Sequence, residues 1–94
     1  MSILLRIQSA VREGNYELTE HAVEEAEADG FGPLDVRHAL LHSRLIRRYT
    51  HDPRGPRYKL CGPSIGGTLM YLVCRFTELR GVRVITVFAV RHEQ

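Results

Sequence analysis

The chain has 94 residues, 44% of them apolar and 26% charged, proportions that fit one globular domain over residues 1–94 and exclude a disordered tail. Its apolar runs are far shorter than the ~20 residues that cross a bilayer. Ile3-Leu4-Leu5 before Arg6 lacks the basic, apolar and small-residue order of a secretory leader, so a cytoplasmic protein with no membrane association is expected.

A formal charge of +2 hides a division within the chain. Residues 1–36 carry eight acids against two bases, whereas residues 37–94 carry eleven bases against three acids. Twelve of the thirteen bases are arginine, whose planar fork matches phosphate or carboxylate better than lysine does. The second half is therefore the candidate anion-binding surface.

In chain order, Ile3, Leu4, Ile7, Ala10 and Val11 recur at helical spacing between a Ser2 cap and a Gly14 stop, which predicts a helix over Ser2–Glu13. Tyr16-Glu17-Leu18 is too short to assign. Thr19 caps a second helix ending near Asp29, with Leu18 and Val23 as its hydrophobic staple and Gly30 behind it. Gly32, Pro33 and Asp35 start a third helix through about His42, stapled by Phe31 and Val36. From Leu45 the period changes to two, predicting strands at about Leu45–His51, Arg57–Cys61, Thr68–Phe76 and Val82–Arg91. Short turn-rich loops between them favour an antiparallel meander. The expected fold is α+β, with N-terminal helices packed on a four-stranded antiparallel sheet. In the third of these strands Met70, Leu72 and Cys74 oppose Tyr71, Val73 and Arg75. In the last, strict alternation sets Val82, Val84, Thr86, Phe88 and Val90 against Arg83, Ile85, Val87 and Ala89.

Cys61 and Cys74 fall in apolar strand-like stretches and read as buried reduced thiols, with no disulfide framework and no zinc-ribbon spacing. His21, second in its helix, meets the positive end of the helix dipole, which opposes protonation, while Glu25 on the same face favours it. It is a candidate general acid or base; the bland alternative is a locally packed ring. Asp35, His38 and His42 share a helical stripe, but no third ligand is placed beside the histidine pair, so no metal and no cofactor are expected. Arg57, Arg75 and Arg83 are candidate phosphate ligands, and Tyr58 and Tyr71 could stack or position a base; the alternative is a solvated arginine face. The Gly62–Gly67 loop lacks the lysine and hydroxyl of a phosphate loop and reads as a hairpin connection.

The order Tyr16–Ala22, Gly30–Val36, Asp52–Tyr58 and Val84–Phe88 resembles the family catalogued as domain of unknown function 4258, over roughly residues 16–90. The T-x-H-A start at Thr19, His21 and Ala22 is its most specific piece. That family is similar to the small RelE, ParE and BrnT toxins, which pair helices with a curved antiparallel sheet. The resemblance implies a toxin-like, metal-independent endoribonuclease or RNA-binding domain, with His21 at the family's histidine and with RNA or an antitoxin-like protein as partner. Where relatives often carry arginine shortly after that histidine, this chain has Glu24 and Glu25. Acids there favour the alternative, a non-catalytic protein-interaction module.

Overall fold

The computed structural model describes residues 2–91. Three helices, α1 (Ile3–Arg12), α2 (Glu20–Ala28) and α3 (Pro33–Leu41), form where apolar spacing and caps coincide. Ser2 Oγ accepts from Leu5 N at 3.1 Å and Thr19 Oγ1 from Ala22 N at 3.1 Å. Asp35 Oδ2 accepts from Gly32 N at 3.0 Å, so each helix start has a side-chain acceptor for an otherwise orphaned donor.

The sheet has five strands: β1 (Tyr16–Leu18), β2 (Arg44–Tyr49), β3 (Arg57–Pro63), β4 (Leu69–Phe76) and β5 (Val82–Ala89), in the order β1-β5-β4-β3-β2. The expected four-stranded antiparallel sheet is thus corrected. Residues 44–89 form the antiparallel meander, and Tyr16–Leu18 adds a fifth strand parallel to β5, making the sheet mixed. Three residues carry too little periodicity to announce a strand; β1 exists because an established partner offers it hydrogen bonds. Val82 N donates to Asn15 O at 3.1 Å and Thr19 N to Val84 O at 2.9 Å.

All three helices lie on one side of the sheet. Ile7 and Val11 of α1, Ala22 and Ala26 of α2, and Val36, Ala39 and Leu40 of α3 meet Leu60, Met70, Leu72, Cys74, Val82, Val84 and Val87 in one core. Gln8 ties α1 to the end of α3, its amide nitrogen reaching the carbonyls of Leu40, Leu41 and Ser43 at 3.2–3.3 Å. No helix among the described residues is long and apolar enough to cross a membrane.

The β4–β5 register departs from the alternation expected of β5. Val73 pairs with Thr86, but Cys74 pairs with Val84, leaving Ile85 as a bulge. Beyond it every side chain changes face. Val82, Val84 and Val87 point to the helices, while Arg83, Thr86 and Phe88 share the opposite face with their partners Arg75, Val73 and Tyr71.

The tightest approach between layers is at Gly62, which faces α3. A Cβ there would be driven into the backbone carbonyl of Ala39, whereas a Cβ at Gly66 meets only Ser64 Oγ, at 3.9 Å. Gly62→Ala should therefore lower unfolding free energy by about 2 kcal/mol or more, and Gly66→Ala should change it little. Equal urea midpoints for the two variants would contradict this packing.

Candidate anion-binding site

Arg75 of β4 and Arg83 of β5 stand directly opposite each other on the helix-free face. Like charges in that position destabilise a sheet unless anions offset them. Two acids do so in part, from the two flanks. Glu17 Oε1 lies 3.4 Å from Arg83 Nη2, and Asp52 Oδ2 lies 3.7 Å from Arg75 Nη2. The β2–β3 loop adds Arg54, whose carbonyl accepts from Arg75 Nη1 at 3.1 Å. Thr19, Arg54, Arg75, Arg83 and Ile85 line an open hollow of about 250 Å³.

Asp52 organises the loop side of the hollow. Its Oδ1 accepts from Arg54 N at 2.8 Å, and its Oδ2 lies 2.9 Å from Arg57 Nε. That second approach is an ion pair; Arg57 Nε is buried and poorly aligned for a hydrogen bond to the carboxylate. The Arg54 N–H, followed by the positive charges of Arg57, Arg75 and Arg54, holds the Asp52 carboxyl below its usual 3.8. Arg57 faces a second open hollow, of about 720 Å³, which it lines with Arg47, Arg48, Arg54, Tyr49 and His51.

The expected site residues are thus only partly brought together. Arg75 and Arg83 converge, and Arg57 is linked to Arg75 through Asp52. Tyr71 shares their sheet face, four register pairs farther along. Tyr58 is on the other face, 7% exposed and edge-on to Phe76 with ring centroids 5.8 Å apart; a base cannot reach it there. His21 does not line the arginine hollow. It stands out from the start of α2, with its side chain 66% exposed and Nε2 3.0 Å from Glu25 Oε1, which also accepts from Val87 N.

Thr19 and Arg54 have parts here that their residue types did not disclose. Thr19 reads as a helix cap, yet its hydroxyl also donates to the carbonyl of the bulged Ile85 at 3.2 Å, fixing the hollow's floor to α2. Arg54 is one arginine among many until the Asp52 turn directs it to β4. No signal in the spacing of either residue reveals this.

The arrangement is suited to holding an anion. Guanidinium groups stay charged at any physiological pH and cannot relay protons, and the Thr19 hydroxyl is already engaged at both ends. Cys74 lies in the core, where burial pushes its thiol up to about 12 and leaves it unreactive at neutral pH. His38 Nδ1 is 2.9 Å from Pro63 O, its ring lies against His42, and Asp35 serves two backbone amides. No group of three or more His, Cys, Asp or Glu side chains is placed to hold a metal among the described residues.

A family model described as "Domain of unknown function (DUF4258)" matches residues 18–89, from the last residue of β1 through the end of β5. No curated protein and no solved structure gives a significant match.

Because the folded-state pKa of Asp52 is lowered, its charge-linked stabilisation is fully present above the ordinary aspartate value and is lost as pH falls through the folded value. The stability gap between the wild type and Asp52→Asn should therefore narrow as pH drops below about 4. Urea midpoints measured from neutral to acid pH test this; a gap that stays constant throughout would show that the Asp52 charge is not involved.

Proposed function

Since the chain belongs to the DUF4258 family, whose description names no activity to carry over, we propose from the geometry that the helix-free sheet face binds RNA through its phosphates. The observation that carries this reading is the Arg75–Arg83 pair, two cations set side chain to side chain across β4 and β5, with Arg54 at their rim. Glu17 and Asp52 approach from the flanks and leave the hollow itself to an external anion. A phosphodiester meets that demand, and a planar guanidinium can grip two of its oxygens at once. Uncharged and aromatic side chains on the same face, Val73, Thr86, Tyr71 and Phe88, favour a ligand that has bases as well as charge.

Binding is the function proposed, in preference to the toxin-like cleavage implied by family resemblance. Cleavage would need a proton-transfer group beside the bound phosphate. His21 is paired to Glu25 outside the hollow, and Tyr58 lies in the core. An RNA ligand is consistent with a cytoplasmic site of action.

Phosphate contact by three arginines predicts that log affinity for single-stranded RNA falls with log salt at a slope of about −2. Arg83→Gln or Arg54→Gln should each reduce that slope by about 0.7 and weaken binding, while His21→Ala leaves both affinity and the integrity of the RNA unchanged. Filter binding across a salt series, with the RNA recovered on a gel, reads all three. Salt-independent binding would remove the phosphate reading, and cleavage abolished by His21→Ala would replace binding with catalysis.

A further inference from the structure

Tyr71 and Phe88 are register partners on the helix-free face, with ring centroids 5.3 Å apart and planes tilted by 48°. Both rings are partly exposed, and neither belongs to the core or packs against it. Lys59 places its Nζ 4.1 Å from the Tyr71 centroid and 5.7 Å from that of Phe88, so a cation already stands over the pair. Two half-buried aromatic rings that add nothing to the core, faced by the flexible Lys59 side chain, form a platform on which a flat group can stack once the ammonium swings aside.

This pair is in line with the arginines. Moving along β4 and β5, Arg75 and Arg83 come first, then Val73 and Thr86, then Tyr71 and Phe88. From Arg75 to Tyr71 the strand advances about 13 Å at ~3.3 Å per residue. The middle pair is short and uncharged, and Lys59, the β3 partner of Val73, stands at its edge between the cationic end and the aromatic end.

Resting on the proposed binding of RNA phosphates, we infer that the ligand is a single strand, laid along β4 and β5 with phosphates on the Arg75–Arg83 hollow and a base stacked at Tyr71–Phe88. A strand of several nucleotides spans both ends, whereas a free phosphate reaches only one. A duplex offers phosphates to the arginines but keeps its base faces against one another, so the rings stay unused. An acidic polypeptide would neutralise the arginines without a planar group for the rings. Lys59, above the aromatic pair, is placed to meet the phosphate next to the stacked base, extending the charged track past the uncharged floor.

The test titrates the full chain with a single-stranded RNA hexamer carrying 2-aminopurine, a blunt RNA duplex, tripolyphosphate and polyglutamate. The single strand should bind about tenfold more tightly than the duplex, with its fluorescence quenched on stacking. Replacing both rings, by Tyr71→Leu with Phe88→Leu, should cost about tenfold for the single strand and leave tripolyphosphate binding unchanged, while Tyr71→Trp preserves both affinity and quenching. Equal affinity for duplex and single strand, or full single-strand affinity in the doubly substituted variant, would overturn the stacking inference even if Arg54→Gln and Arg83→Gln still weaken RNA. Tighter binding of polyglutamate than of RNA would overturn it in favour of a protein ligand. If neither arginine substitution weakens RNA binding, the phosphate reading fails first and the stacked strand with it.

Discussion

Everything distinctive about this molecule depends on the asymmetry of its sheet. One side of β3, β4 and β5 is sealed by three helices over Leu60, Leu72, Cys74, Val84 and Val87, each large apolar side chain contributing roughly 1.5–3 kcal/mol when taken from water. That burial frees the other side from any duty in the core. Arginines can stand opposite one another there, at some cost to the sheet, because the packed side supplies the stability.

The Ile85 bulge gives that open face its composition. Without it, Phe88 would follow Val82 and Val84 into the helix layer and Val87 would point outward. With one extra residue in β5, Val87 fills the core opposite Leu72, and Phe88 comes beside Tyr71 on the face that carries Arg75 and Arg83. The bulge also presents the Ile85 carbonyl to Thr19, so the start of α2 is fastened at the edge of the arginine hollow. A single departure from pleat alternation thus places the charged and aromatic groups together, as bulges beside functional sites commonly do.

Local signals made much of this legible in the sequence. Ser2, Thr19 and Asp35 announced the helix starts because capping is a matter of a few adjacent residues, and the four long strands announced themselves by period-two patterns. What stayed hidden depends on partners distant in the chain. Tyr16–Leu18 becomes a strand only beside β5, and the slip at Ile85 is visible only when β4 is in register. Tyr58 precedes Leu60 by two residues and so shares its inward face, which turns a candidate base-positioning tyrosine into a core side chain. His21 kept the expected pairing with Glu25 along α2, and neither residue lines the arginine hollow.

The central claim is that ligand lies on the helix-free face, between the arginine pair and the aromatic pair. Backbone amide chemical shifts of the isotope-labelled chain, followed during titration with single-stranded RNA, test it most directly. The account predicts that perturbations concentrate at Arg54, Tyr71, Arg75, Arg83 and Phe88, with α1 and the outer side of α3 undisturbed. Perturbations centred on His21 and the α2 surface, with β4 and β5 silent, would contradict it.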